Sequence, residues 1–207
     1  MAQDRSSNDP ETIEAEIVAI QRGQVAETQA AIAEAERRAE LLSKITLTAV
    51  KRTYAQDWID FRVKDSDDDG KPYLSASGAE RLRTVFGISI TNPDVKRYEE
   101  KDKEGPFWFY VFTGIAHWRG DELAVVGTCS SRDQFYRTRY QDGKQVLLPA
   151  DEIDPTNIIK AARSNMIANA VTGILGLRGL TWAQLREFGL ERGKGGTATF
   201  RDRRPEE

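Results

Sequence analysis

Residues 107–118 read FWFYVFTGIAHW. Aromatic and apolar side chains fill both odd and even positions. A strand with one wet face alternates, and this one does not, so it reads as a central strand covered on both faces. Before it, residues 95–101 read as a strand joined to it through Lys103-Glu104-Gly105-Pro106. After it, Arg119-Gly120-Asp121 is a hairpin turn, 122–130 is the next strand and 135–140 a further one. Gln141-Asp142-Gly143-Lys144 is a strong turn signal, followed by a short extended run over 146–148. The centre of the chain is therefore predicted to be an antiparallel meander.

A long helix follows. Asp154 is its predicted N-cap and Pro155 sits at N1, where the missing N–H costs nothing. Ile153 and Ile158 stand at N′ and N4, the positions of a hydrophobic staple. Ile159, Ala162, Met166, Ala170, Ile174 and Leu177 mark an apolar stripe, with Ala161, Ala168 and Gly173 leaving room for close approach and Gly179 as the stop. Thr181 to Gln184 is a capping box for a last short helix that ends at Gly189.

Toward the N-terminus, Tyr73-Leu74 reads as extended. Ser75 or Ser77 then caps a short helix, with Glu80 as the capping-box acid for Ser77 and Gly87 as the stop. Residues 88–90 begin a strand and Asn92-Pro93 is a turn. Residues 64–72 are a polar loop. Residues 11–62 read as helix, with Gly23 a candidate break. Ile13, Ile17 and Ile20, then Val25, Ile32 and Ala39 at seven-residue steps, form a narrow apolar stripe. Such a stripe suits either pairing with another helix or a helical hairpin folded onto the body. The fold class is α+β: an antiparallel β-sheet meander backed by a long helix, with an N-terminal helical extension. The predicted organisation is disorder over 1–10, a helical extension over 11–63, a core over 64–190 and a flexible tail over 191–207.

The 207 residues hold 30 Lys+Arg and 33 Asp+Glu, a net charge of −3. That excludes a uniformly basic nucleic-acid coat but not a local basic site. Residues 1–50 carry −4 of it, so the rest of the chain is +1. The sequence shows no signal peptide and no apolar run near the ~20 residues of a membrane-spanning helix, so no membrane partner is expected. Cys129 is the one cysteine and His117 the one histidine. They exclude an internal disulfide and a Cys/His zinc site, and a reducing cytoplasm is the expected setting.

Motifs for chemistry are weak. Asp65, Asp67, Asp69 and Gly70 copy half of a calcium loop, but Ala76 stands where the bidentate glutamate belongs. Gly189 to Lys194 is one residue short of a phosphate loop. His117 lies in an apolar strand, so a buried, satisfied imidazole and a structural Cys129 are better readings than a nucleophile pair. No enzyme activity, metal or cofactor is expected.

Residues 131–144, SRDQFYRTRYQDGK, are more informative. Arg132, Arg137, Arg139 and Lys144 alternate with Phe135, Tyr136 and Tyr140. On a strand over 135–140, Arg137 and Arg139 share a face. Such a ribbon offers guanidinium groups to phosphates and rings to bases. The bland alternative is an exposed hairpin with ordinary cross-strand pairs.

The order of these pieces resembles the ring-forming single-strand annealing proteins, which include the eukaryotic Rad-type annealing protein and the phage RecT, Red-beta and Erf recombinases. Three stretches carry it: YLSASGAERLRTVFG (73–87), Gly127-Thr128-Cys129-Ser130-Ser131 leading into the basic ribbon, and NIIKAARSNMIANAVTGILGLRG (157–179). Together they cover roughly residues 73–180. The resemblance implies ATP-independent binding and annealing of single-stranded DNA in homologous recombination, by a homo-oligomeric ring or filament. An exonuclease or single-strand-binding protein is an implied partner. Lys160 and Arg163 fall where the family's long helix begins. The family's basic cluster late in that helix is replaced here by uncharged Ala170-Val171-Thr172-Gly173-Ile174. DNA contact then falls to the ribbon (Arg132, Tyr136, Arg137, Arg139, Tyr140, Lys144), to Lys160 and Arg163, or to Lys51, Arg52, Arg81 and Arg83. The alternative reading is a non-enzymatic adaptor that oligomerises through its N-terminal helix.

Overall fold

The structure, a computed structural model, describes residues 10–61, 71–141, 144–192 and 198–200. It is α+β, in this order: α1 (Pro10–Lys51), β1 (Trp58–Phe61), β2 (Lys71–Leu74), α2 (Ala76–Phe86), β3 (Ser89–Asp102), β4 (Gly105–Trp118), β5 (Asp121–Ser130), α3 (Gln134–Arg137), β6 (Thr138–Gln141), β7 (Lys144–Leu147), α4 (Pro155–Ile174), α5 (Trp182–Glu187), β8 (Leu190–Arg192) and β9 (Ala198–Phe200). The chain divides into two compact units, residues 1–44 and 45–207. Among the described residues no helix is long and apolar enough to cross a membrane.

The main sheet has three antiparallel strands in the order β3-β4-β5. Strand β4 is central, as the apolar run predicts. The two-residue turn Arg119-Gly120 joins it to β5, and both residues have positive φ (53° and 92°), as a primed hairpin turn requires. Asn92-Pro93 is not a turn that ends a strand. It is a bulge within one 14-residue strand, where the ladder shifts between Thr91 and Asp94. Proline is tolerated there because β3 is an edge strand and the bulge frees the N–H position.

Helix α4 covers one face of this sheet. Ile158, Ala162, Met166, Ile167, Ala170 and Val171 are its buried residues, so the stripe starts at Ile158 and not at Ile159. Met166, Ile167, Ala170 and Val171 pack with Ala116, Val125, Trp58, Leu82, Trp182 and Leu185 into the main core, and Ile158 and Ala162 pack with Trp108, Cys129 and Ile153 into a second cluster. Asp154 caps α4, its side chain accepting from Thr156 N at 2.8 Å. The helix ends at Ile174 rather than near residue 177. Gly176 takes the left-handed conformation (φ 65°), and Leu177 N donates to Thr172 O at 2.9 Å, so the stop is Gly176, three residues before Gly179.

Coverage on both faces is not what the sheet has. Phe107, Phe109, Val111, Ile115 and His117 on the second face of β4 are half-buried, and their neighbours Tyr98 and Val126 are exposed. Adjacent strands shield these side chains laterally; Tyr98 stacks on Phe109 with ring centroids 5.3 Å apart.

The N-terminal reading is corrected. Helix α1 runs through Gly23 without a break but stops at Lys51, eleven residues before the predicted end at 62. Thr53 and Trp58 are buried, Trp58 Nε1 donates to Thr53 Oγ1 at 2.8 Å, and a short 3₁₀ turn over Ala55–Asp57 leads into β1. β1 pairs with β2, so Lys71 and Pro72 belong to a strand and not to the loop. Ser75, not Ser77, caps α2 by accepting from Gly78 N. The second compact unit thus begins at Ile45, ahead of the domain boundary expected at 64.

The predicted strand over 135–140 is also corrected. Asp133 accepts from Phe135 N at 3.0 Å and closes one helical turn, α3, before the chain extends as β6. β6 pairs with β7, and β8 with β9, as separate two-stranded ribbons. The expected tail over 191–207 therefore includes strand residues, and Arg192 Nε donates to Asp60 Oδ2 at 2.6 Å. The calcium-loop motif, the Asp142-Gly143 turn and residues 1–9 lie outside the described residues.

Candidate nucleic-acid interface

The β3–β4 hairpin is 14 residues long on each arm, and β5 pairs with β4 only from Phe109 to Trp118, so the hairpin tip extends beyond the end of β5. The chain leaving β5 returns beside this tip. Ser131 holds the return in place: its N–H donates to Trp108 O at 2.9 Å, and its Oγ accepts from Trp108 N at 3.1 Å. Between tip and return lies a cleft of about 910 Å³, lined by the β3–β4 tip, by Ser131, Arg132 and Arg137, and by residues 148–151.

Strand periodicity sets its chemistry. Glu99 pairs with Trp108 and Arg97 with Tyr110, so Arg97, Glu99 and Lys101 share a face with Trp108. The Arg97 guanidinium carbon lies 4.8 Å from the Trp108 ring centroid, and Arg97 pairs with Glu99 at 2.9 Å. Trp108 is itself fixed by its Nε1–H, which donates to Ala150 O at 3.3 Å. Arg132 lies over Phe107, 4.2 Å from the ring centroid, and Phe107 continues in a stack onto Phe109. Arg132 also grips both sides of the hairpin turn. It donates to both carboxylate oxygens of Asp102 and to Gly105 O, the last at 2.8 Å. The Arg132 hydrogen bond holds the Asp102 carboxyl below its ordinary pKa. Arg132 thus serves first to lock the tip. Arg137, half-buried on α3, lines the cleft from the far side. Arg97, Lys101, Arg132 and Arg137 are balanced around the cleft by Glu99, Glu100, Glu104 and Asp151.

The residues expected from the sequence divide into groups. Arg132 and Arg137 reach the cleft. Arg139 and Lys144 are exposed on β6 and β7, so Arg137 and Arg139 do not share a strand face. Tyr136 is not a free stacking ring. It packs among Trp108, Cys129, Ile153, Ile158 and Ala162, and burial raises its pKa. The Tyr140 side chain lies outside the described residues. Lys160 is exposed on α4. Arg163 pairs with Glu80 at 3.5 Å, and Arg83 with the same carboxylate at 2.7 Å, so Glu80 ties α2 to α4. Arg81 donates to the buried Asp57 and lies over Tyr54, 4.1 Å from its centroid, which makes it part of the framework. Lys51 and Arg52 are exposed at the end of α1.

Arg97, Phe107 and Trp108 were missed by the sequence reading. Their signal was present in the turn at 103–104: it fixes the hairpin register, and register sets Arg97 beside Trp108. Phe135 is 80% exposed on α3, two residues from Arg137.

The other reactive groups are constrained. Burial, and then the charge of Asp133, push the Cys129 thiol up to about 11, so it is protonated at neutral pH and a poor nucleophile. His117 is half-buried rather than enclosed in the core. It lies 2.6 Å from Thr91 Oγ1 through Nε2 and 3.3 Å from Glu122 through Nδ1.

In comparison with known proteins, no family model matches the chain, and no curated protein matches its sequence.

Proposed function

We propose that the chain binds single-stranded nucleic acid at the β3–β4 tip and promotes annealing of complementary strands without ATP, acting as an oligomer in homologous recombination. One observation carries this reading: guanidinium groups lie over aromatic rings around an open cleft, Arg97 over Trp108 and Arg132 over Phe107, and Arg137 lines the same cleft. Cations that track phosphates and π-faces that accept any base are the requirements of binding without sequence readout. The sheet backed by a long helix, and the likeness of residues 73–180 to annealing proteins, support the same reading. An exonuclease or single-strand-binding protein is the proposed partner class.

The equal number of carboxylates around the cleft keeps the affinity of one subunit low and salt-sensitive. Repetition of the cleft in an oligomer raises it. Fluorescence polarisation of a short labelled single strand, titrated with the full chain at rising salt, tests this. Binding at low salt is expected. Arg97→Ala with Arg137→Ala is expected to weaken it about tenfold and to reduce the salt slope, as loss of phosphate contacts does. No binding at low salt would overturn the proposal, and an unchanged slope would move the interface away from the cleft.

A second reading has its own observation. Val18, Val25 and Ile32 on α1 are exposed, which favours an adaptor that assembles through this helix. Assembly of the full chain with no nucleic-acid binding would select it.

A further inference from the structure

Residues 18–44 of α1 form a helix whose large apolar side chains face solvent. Val18, Val25 and Ile32 lie at seven-residue steps and are 43%, 56% and 53% exposed, and Leu42 is 45% exposed. A single helix gains nothing from such a seam in water, whereas a paired one does. Two adjacent depressions lie along the seam. One is formed by Val18, Gln21, Arg22 and Val25 with Ala26 and Gln29 beside them. The next is formed by Gln21, Gln24, Val25 and Thr28 with Gln29. Each contains a set of residues at i, i+3, i+4 and i+7, the four-residue socket that receives one side-chain knob in a coiled coil.

We propose that this part of α1 pairs antiparallel with the same segment of a second copy of this chain, the two helices crossing register at Ala30. In heptad terms Val18, Val25, Ile32 and Ala39 are a positions, and Gln21, Thr28, Ala35 and Leu42 are d positions. Antiparallel register sets Val25 against the partner's Ala35, Gln21 against the partner's Ala39 and Val18 against the partner's Leu42. Ala35 and Ala39 then fall over the two sockets as their knobs. Charge fixes the direction. The antiparallel register places Arg22 beside the partner's Glu36 twice, once toward each end of the seam, on the flank where e positions face each other. A parallel register sets Glu36 opposite the uncharged Ala31 and Gln21 against its own copy. The pairing does not rest on nucleic-acid binding, and its test does not read it.

The test uses the full chain with Val25→Cys and Ala35→Cys together, oxidised at low micromolar concentration. Cys129 is buried and does not compete. The double variant is expected to form a covalent dimer in high yield, and each single variant at least fivefold less. Equal linking by Val25→Cys alone would mean parallel pairing, and linking by none would mean no pairing; either overturns the proposal. Arg22→Glu should lower the yield severalfold, and Arg22→Glu with Glu36→Arg should restore it. Failure of that restoration would overturn the antiparallel charge match even where linking is seen.

Discussion

Gly127 shows how one residue can be readable in kind and opaque in cause. It stands in the Gly127–Ser131 run that the sequence picks out, yet its backbone is not left-handed. Its constraint is proximity: a Cβ there would lie 2.1 Å from Met166 N and 2.3 Å from Ala162 O, inside the backbone of α4. Helix and strand meet at that point with no space for a methyl group. Gly127→Ala is expected to lower stability by about 3 kcal/mol, the upper end for overpacking a core. Gly23→Ala, which meets nothing within 4 Å in mid-helix, should instead raise helix stability by about 1 kcal/mol. Urea unfolding of both variants checks the pair; equal midpoints would place α4 away from β5. Cys129 was legible as inert from its apolar strand, because burial of a thiol follows from the pattern around it. The surroundings of His117 were not, since Thr91 is 26 residues away and only the β3–β4 register brings it near.

Among elements, α4 was the most legible. Its cap, its proline and its periodicity are all local signals, and they place its start at Asp154. Less visible was what its polar side chains do. Asn165 and Asn169, one turn apart, donate through Nδ2 to Thr128 O and Val126 O, each at 2.8 Å. β5 is the outer strand of the sheet, so these carbonyls would otherwise face solvent or another chain's strand. Asn165→Ala with Asn169→Ala should cost about 2 kcal/mol, from two hydrogen bonds at about 1 kcal/mol each. It should also bare the β5 edge and raise light scattering on warming. A variant with the melt and the scattering of the parent would remove this role. The segment 134–141 failed in the opposite way. Its alternation of Arg with aromatic residues looks like a strand, but the Asp133 cap and the packing of Tyr136 against Cys129 favour one helical turn first. Local capping and tertiary packing together outweigh a period read over six residues.

For the molecule as a whole, the first 50 residues carry a charge of −4, but the structural boundary falls earlier, between Lys44 and Ile45. Thr46, Ala49 and Val50 are buried, and Thr46 Oγ1 donates to Leu175 O at 2.9 Å. A chain shortened to begin at Lys44 is therefore expected to melt cooperatively. One shortened to begin at Lys64 loses Ala49, Val50 and Trp58 from the core. Removal of a buried Trp alone costs about 3–5 kcal/mol, so the shorter chain should show no cooperative melt. Matching melts, followed by circular dichroism, would reject the boundary. By itself the sequence determined the α+β class, the central place of residues 107–118, the Asp154 and Thr181 caps of α4 and α5, the Gly87 stop of α2 and the near-neutral body behind an acidic front. These depend on periodicity, capping and charge, which act over a few neighbours. Only the tertiary structure decided which arginines line the cleft and which serve the framework. Arg81 and Arg163 are held by carboxylates from distant parts of the chain, while Arg97 is carried onto Trp108 by strand register. The physical reason is that a guanidinium's role is set by what lies within about 4 Å of it, and for Arg81, Arg132 and Arg163 those neighbours come from distant parts of the chain.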